Sequence, residues 1–481
     1  MTKHKKPFYI TTALPYVNAK PHIGTALEFV QADVIARYRR IKGDEVIFNT
    51  GTDEHGAKIY EKALEEKKDP QTYCDEQVKQ FDALKEAFNL SYTNFIRTTD
   101  VHHMKAGQEF WKRCLATGDI EKREYQAKYC VGCELEKTDS ELEDGKCPLH
   151  PNREIQLIDE ENYFFKFSKY QDKLLALYEK DPAFVLPASK MKEIKTFVKT
   201  GLRDFSVSRL KAKMPWGIPV PNDPDHVMYV WFDALVNYIS TLGWPEDTKN
   251  FEKFWPGVQV AGKDNLRPQS AMWQAMLISA GLPTSKKILI HGFITSGGQK
   301  MSKSLGNVVD PFELVEKYGM DAVRYFLLAK VPTFDDIDYT TDFFEKTYTA
   351  DLVNGLGNLT SRVLTLVFKH FDGKIDFAAG GGEDKSLADT VEKAMNKYQI
   401  DQAMAEIWKY ISATDKYVEE TKPWVLAKTD QNKLKEVLGR LVSNLKTVAL
   451  ELAPFLPETS DRILSAIASG PIQLFPRLER K

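Results

Sequence analysis

The chain runs to 481 residues, 43% of them hydrophobic, with 66 basic against 68 acidic side chains and a formal net charge of −2. At about 150 residues per domain, that length predicts roughly three units, each able to bury a core. The even balance of charge excludes a uniformly basic nucleic-acid binder, so any contact with nucleic acid has to use local patches.

The first residues, MTKHKKPFYITTALPYV, start basic, but Pro7, Pro15 and the pair Thr11 and Thr12 break up the apolar run that a signal peptide needs. No apolar stretch approaches the ~18 residues of a membrane span. A cytoplasmic protein with no membrane contact is the expectation. From 7 to 117, short apolar strands (FYITTAL, EVIFNTG, NFIRTT) alternate with longer helical patterns such as TALEFVQADVIARYRRIKG, the pattern of parallel α/β units. Between the first strand and that helix lies LPYVNAKPHIGT, a turn opening on a helix N-terminus, where free N–H groups and a partial positive charge favour an anion. His22 can donate to a phosphate there and Gly24 permits close approach; PHIG by itself equally describes an ordinary strand-to-helix loop. GTDEHG, Gly51 to Gly56, follows the second strand and so falls at the carboxyl edge of the sheet, where open α/β folds bind ligands. Asp53 can pair with a ligand ammonium and His55 can hydrogen-bond, while a helix N-cap is the competing reading of Asp53.

From about 118 to 224 the α/β rhythm is lost. YCVGCELEKTDSELEDGKCPLHP sets Cys130 and Cys133 two residues apart, then thirteen residues, then Cys147 and His150 with the same short spacing. Two such pairs bring four ligands into a tetrahedron, the closed arrangement of structural Zn2+, with no open position for catalysis. Five cysteines are too few in a chain of this length for a disulfide scaffold. An aromatic strand, NYFFKFS, and two helical patterns around 170–201 complete this segment.

The rhythm resumes with HVMYVWFDAL, GVQVAGKDN and KKILIHGFI. YVWFDALVNYI puts Trp231, Asp233, Ala234 and Tyr238 at a strand end and the first turns of a helix, where aromatics ordinarily form core. PGVQVAGKD is not a phosphate loop, because Asp264 stands where that motif needs Ser or Thr. GGQKMSKSLGN, Gly297 to Asn307, is a glycine-flanked cationic loop which in isolation reads as a solvated turn. Beyond about Thr340 helical periodicity dominates, in TADLVNGLGNLTSRVLTLVFKHF, IDQAMAEIWKYISATDKYVEET and QNKLKEVLGRLVSNLKTVALELA. KPWVLAK carries Trp424 near a helix start, as a packing residue or a platform for a base. The expected architecture is a Rossmann-type parallel-sheet α/β domain (1–117 and 225–340), split by a zinc-binding insertion (118–224) and followed by an α-helical bundle (341–481).

PHIGT followed far downstream by KMSKS resembles the paired signatures of class I aminoacyl-tRNA synthetases, and TTALPYVNA, GTDEHG, DFSVSR, WGIPVP, YVWFDAL, KMSKSLGNVVDP and KPW are similar to the methionyl-tRNA synthetases over nearly the whole chain. The resemblance implies an enzyme that activates L-methionine with ATP and Mg2+ to methionyl-adenylate and passes it to the 3′-terminal adenosine of tRNA(Met). It implies that His22, Lys300 and Lys303 stabilise phosphate charge, and that His22, Gly24, Thr25, Lys300, Met301, Ser302, Lys303 and Ser304 contact ATP. Leu14, Tyr16, Asp53, Trp231, Ala234, Tyr238, Asn265 and Gln269 would surround methionine, with Asp53 on its ammonium, and Asn358, Arg362 and Trp424 would read the anticodon. Thr25 stands where the family usually shows a histidine-type residue, Asn265 for an apolar residue and Gln269 for a histidine. Asn265 and Gln269 are expected to bond each other or nearby backbone. The chain ends soon after the helical segment, and a monomer is expected. A free-standing nucleotidylyltransferase would share the ATP chemistry without needing the helical domain, and a zinc-knuckle RNA-binding protein would have no use for His22 and Lys303.

Overall fold

The computed structural model describes residues 5–133, 135–301, 307–374 and 385–478. Over the described residues the chain gathers into two compact units, the first from 1–21, 43–85 and 91–290 and the second from 22–42, 86–90 and 291–481.

The first unit is built on a six-stranded sheet whose strands run in the order Asn94–Arg97, Glu45–Thr52, Pro7–Thr12, Val258–Gly262, Lys287–His291, Val185–Leu186. Pro7–Thr12 pairs in parallel with Glu45–Thr52 and with Val258–Gly262. Every residue of VQVAG and all but the first of PFYITT is buried, as a parallel sheet covered on both faces demands. Leaving aside the edge strand Val185–Leu186, the five strands numbered along the chain lie in the doubly wound order 3-2-1-4-5, and the order reverses between Pro7–Thr12 and Val258–Gly262, the switch point where such sheets bind ligands. Trp111, Trp273 and Tyr238 lie in the core beside this sheet, with the Phe110 and Trp273 rings stacked at 5.4 Å.

The insertion opens with a long antiparallel strand pair, followed by the helices Gln171–Lys180 and Ala188–Lys199. Ile120–Cys130 pairs with Gln156–Phe165 from Ile120 opposite Phe165 to Tyr129 opposite Gln156. Cys130 is the last residue of its strand, so the cysteine cluster sits at the hairpin tip.

Two strands differ from expectation. Asp223–Met228 precedes the helix Val230–Ala234 as anticipated, but it belongs to a separate antiparallel sheet with Ser208–Leu210 and Pro219–Val220. An apolar run shows that a strand forms, not which strand it joins. Val185–Leu186, inside what reads as helical sequence, is the edge strand of the parallel sheet; two residues are too few to show a period.

The second unit begins with the helix Ile23–Ile41, buried at Ala26, Leu27, Val30, Val34 and Ile35, and runs into the helices Ile400–Thr421, Gln431–Leu452 and Pro457–Ser469. Ile294–Ser296 and Gln299–Lys300 form a hairpin closed by Gly297 and Gly298, at φ 64° and 72°. A two-residue turn that keeps the strand twist requires positive φ at both positions, which explains the glycine pair. Asp310 caps the helix Pro311–Tyr318 through Phe312 N–H at 2.8 Å, with proline at the first helical position. Arg324, wholly buried, donates from Nε to the Phe455 carbonyl (2.8 Å), from Nη1 to the Phe88 carbonyl (2.9 Å) and from Nη2 to Asp33 (2.9 Å), itself wholly buried in the first helix of the unit.

Candidate functional site

In the first unit the candidate site begins at the carboxyl end of the strand Pro7–Thr12, beside the point where the strand order reverses. Leu14 and Tyr16 are half-buried just beyond it. Asp53 clamps this stretch, its N–H donating to the Pro15 carbonyl (2.9 Å) and its carbonyl accepting from Val17 N–H (3.3 Å). Its side chain is 3% exposed. Gly56, not Asp53, is the N-cap of the following helix Ala57–Glu65. The capping reading of Asp53 therefore fails, and a buried carboxylate at the sheet's carboxyl edge remains. Trp231 donates its indole N–H to the Tyr16 hydroxyl at 2.8 Å, and the Lys58 ammonium lies 4.8 Å from the Tyr16 ring centre. Ala234 is half-buried one turn on, while Tyr238 and Gln269 are buried, the Gln269 amide donating to the Tyr238 hydroxyl. Asn265 is half-buried and donates to the Asp264 carboxylate at 3.4 Å. From sequence these two amides are expected to bond each other or nearby backbone; among the described residues each instead bonds another side chain, because the helical turn Pro268–Met272 carries Gln269 to Tyr238.

Two buried networks beside this site were not visible in the sequence. Glu54, wholly buried, accepts from Arg97 Nε and Nη2 (2.7 and 2.8 Å) and from the Thr52 and Thr99 hydroxyls (both 2.6 Å). GTDEHG holds both carboxylates, and only the fold assigns one to a structural ion pair. Asp233 lies between His55 and His103, at 2.6 and 2.8 Å.

In the second unit His22 is the exposed N-cap of the helix Ile23–Ile41, and its Nδ1 accepts from Gly24 N–H (3.0 Å) and Thr25 N–H (3.3 Å). Sequence reasoning offered these N–H groups to a phosphate; the imidazole takes them instead. An Nδ1 that accepts fixes the neutral ring's proton on Nε2, so His22 carries its donor on the other nitrogen. A Cβ on Gly24 would come within 2.8 Å of His22 Cε1. The glycine makes room for the histidine, which accounts for PHIG better than close approach of a ligand does.

Lys300 closes the hairpin strand Gln299–Lys300, and Ser302, Lys303 and Ser304 lie outside the described residues. The stretches on either side of them are held together: Val309 N–H donates to Met301 Sδ (3.5 Å), and the Val309 carbonyl accepts from Ile23 N–H (3.1 Å). The base of the cationic loop is thereby tied to the residue after His22.

Cys130, Cys133, Cys147 and His150 present one ligand atom each, all within 4.8 Å of one another. Cys133 Sγ lies 3.5 Å from Cys147 Sγ and 3.3 Å from His150 Nδ1, and Cys130 Sγ lies 3.8 Å from the same nitrogen. An ion about 2.3 Å from sulfur and about 2.0 Å from nitrogen at a tetrahedral centre requires edges of roughly 3.5–3.8 Å. The residues therefore fit a four-coordinate metal. A Cβ on Gly132 would meet the His150 ring at 2.3 Å, so the turn between the first two cysteines needs glycine for the histidine to close in.

On the helical face of the second unit, Lys422 in a left-handed conformation (φ 46°) ends one helix, and Pro423 starts the next. That corner leaves Trp424 40% exposed. Arg362 sits over it, guanidinium carbon 5.6 Å from the ring centre, and pairs with Glu419 (2.6 Å) and Asp415 (3.5 Å). Asn358 is exposed one helical turn before Arg362.

The sequence profile of the family described as tRNA synthetases class I (M) matches residues 8–157 and 140–364, and that of an anticodon-binding domain of tRNA ligase matches 383–477. The methionine–tRNA ligase of Caldanaerobacter subterraneus subsp. tengcongensis is 43% identical over 96% of this chain and 74% of its own length. The chain belongs to the class I methionyl-tRNA synthetases. The methionine–tRNA ligase of Rhizobium meliloti is also 43% identical, over 96% of this chain and 92% of its own. Among solved structures, the Mycobacterium tuberculosis methionyl-tRNA synthetase in complex with methionyl-adenylate superposes with a TM-score of 0.92 at 36% identity, covering 98% of this chain and all of that one. Among the described residues no helix is long and apolar enough to cross a membrane.

Proposed function

We infer that this methionyl-tRNA synthetase binds L-methionine in the crevice at Asp53, activates it with ATP, and transfers the methionyl group to the 3′-terminal adenosine of tRNA(Met). The observation that carries the site assignment is a buried carboxylate at the carboxyl edge of the parallel sheet, bridged to Tyr16, with Trp231 bonded to the Tyr16 hydroxyl beside it. A methionine carboxylate oxygen attacks the α-phosphorus of ATP in line, the bond to pyrophosphate breaks, and the adenylate forms; the tRNA hydroxyl then displaces AMP. No protein nucleophile is needed, and catalysis rests on positioning and on donors aimed at developing phosphate charge. Asp53 holds the ammonium. Leu14, Tyr16, Trp231, Ala234, Tyr238, Asn265 and Gln269 receive the side chain. His22, with its proton on Nε2, and Lys300 and Lys303 serve the phosphates, with Gly24, Thr25, Met301, Ser302 and Ser304 shaping that contact. Mg2+ carried in with ATP would neutralise part of its phosphate charge. The protein acts as a cytoplasmic monomer.

A thioether is only a weak acceptor, so methionine is chosen by shape and aromatic contact. Gln269 donates to the Tyr238 hydroxyl, and Gln269→Ala removes that buried hydrogen bond, for which about 1–3 kcal/mol is the ordinary cost. Methionine KM is expected to rise about tenfold or more, with KM for ATP unchanged; equal rises in both would remove Gln269 from the methionine site.

The cluster at the hairpin tip holds Zn2+, because three thiolates and an imidazole with no open position suit a structural zinc. Purified protein is expected to carry stoichiometric zinc, and Cys133→Ala to lose it and expose the insertion to protease. Elemental analysis that finds none, with a protease-resistant mutant, would contradict this.

Stacking of a base on an exposed aromatic ring contributes about 1–3 kcal/mol. Trp424→Ala should therefore raise KM for tRNA about tenfold while methionine-dependent ATP–pyrophosphate exchange stays normal. A parallel fall of both steps would make Trp424 a packing residue.

A further inference from the structure

Asp233 lies in the short helix Val230–Ala234 that also carries Trp231 and Ala234. Residues two apart on a helix point about 200° from one another, so Asp233 faces away from Trp231 and into the protein. Its carboxylate oxygens meet His55 Nδ1 at 2.6 Å and His103 Nε2 at 2.8 Å, and His103 Nδ1 meets the Ser240 hydroxyl at 2.9 Å. Asp233 and His103 are wholly buried, Ser240 is 1% exposed and His55 3%. Burial opposes ionisation of Asp233, but the charge of His55 and hydrogen bonds from both histidines outweigh it and hold the carboxyl below its ordinary range. An ionised Asp233 accepts from both rings, which puts the protons on His55 Nδ1 and His103 Nε2 and leaves His103 Nδ1 as an acceptor for the Ser240 hydroxyl, whose one proton it shares with the more distant Asn237 carbonyl (3.4 Å).

His55 stands two residues after Asp53, and the described backbone hydrogen bonds tie the loop 53–56 to Pro15, Val17, Thr98 and Trp216, not to the helix of Trp231. The Trp216 and His55 rings pack edge to face with centres 5.4 Å apart, and the Trp216 indole N–H donates to the Glu54 carbonyl at 2.6 Å, steadying the loop from the other side. The side chains of His55 and Asp233 therefore join the segment that carries Asp53 to the segment that carries Trp231 and Ala234.

We propose that His55, Asp233 and His103 form a positioning clamp for methionine, fixing the separation between the ammonium-binding carboxylate of Asp53 and the side-chain wall at Trp231 and Ala234. The clamp rests on the reading that those residues hold the substrate. A carboxylate with two imidazole donors suits the task because it specifies two directions at once, where an apolar contact would specify none.

Steady-state ATP–pyrophosphate exchange on the full chain tests it. Asp233→Asn offers one acceptor oxygen to two donors, and His103→Leu removes one donor. Each is expected to raise KM for methionine about tenfold, the scale of one unsatisfied buried partner, with KM for ATP and kcat little changed. His103→Gln keeps an N–H able to reach Asp233 and is expected to restore KM to near the wild-type value, a rescue that loss of packing alone would not give. Ser240→Ala removes the outermost bond together with the hydroxyl's long contact to the Asn237 carbonyl (3.4 Å) and is expected to raise methionine KM by about threefold without loss of fold. Unchanged methionine KM in Ser240→Ala and in whichever of the stronger variants folds overturns the clamp, as does a KM for ATP that rises in step. Asp53→Ala, run alongside, separates the two levels: a normal methionine KM there overturns the substrate assignment and the clamp with it, whereas a raised KM there beside normal clamp variants overturns the clamp alone.

Discussion

Replacing His22 with alanine is expected to lower methionine-dependent ATP–pyrophosphate exchange by roughly 10²–10³-fold, the usual effect of losing one donor aimed at developing oxyanion charge, while methionine binding survives. The geometry makes the ring more than a cap. Its Nδ1 is occupied by the Gly24 and Thr25 N–H groups, so the ring is held at the helix mouth with its proton on Nε2. Two effects are removed together, the donor and the cap, and the cap contributes about 0.5–2 kcal/mol to stability. His22→Asn separates them, since asparagine caps helices well: it should restore the melting temperature and leave exchange slow. Gly24→Ala should act in the same direction, because its Cβ would sit 2.8 Å from the His22 ring and displace it. Full exchange activity in His22→Ala would show that the loop between strand and helix is only a connection.

The largest stability effect is expected at Arg324. Its guanidinium satisfies the carbonyls of Phe88 and Phe455 and the carboxylate of Asp33, with no exposure of either charged side chain. Removing one partner of a buried, hydrogen-bonded ion pair ordinarily costs about 3–5 kcal/mol, because the other charge stays buried. Arg37 also donates to the Asp33 carboxylate (2.8 Å) and retains part of that interaction. Arg324→Met is therefore expected to destabilise the second unit by about 3 kcal/mol, and adding Asp33→Asn should recover part of the loss. Hydrogen exchange in the helix Ile23–Ile41 reads this directly. Undiminished protection in Arg324→Met would mean that the buried guanidinium contributes nothing to holding the helix in place.

What the sequence disclosed and what it hid divide along a physical line. Short-range chemistry was legible: the Cys130 to His150 spacing, the turn at Gly297, and the apolar runs of buried parallel strands each state their structure within a few residues. Partners far apart in the chain were not. Asp233 and His103 lie 130 positions apart and Gln269 and Tyr238 31 apart, and no periodicity links such pairs. The strand Asp223–Met228 was legible as a strand but not as a member of its own antiparallel sheet, since its pairing is decided by where Ser208–Leu210 arrives. His22 was found through its motif, yet its role as acceptor for its own helix depends on a backbone angle that sequence does not state.

ATP–pyrophosphate exchange measured with each of the common amino acids in turn tests the central claim most directly. Methionine should support the fastest exchange, with leucine and isoleucine behind it by about tenfold or more, since a misfit of one methylene in an apolar slot is worth about 1–3 kcal/mol. Exchange that another amino acid supports better than methionine would contradict the assignment of the crevice around Asp53, Trp231, Tyr238 and Gln269.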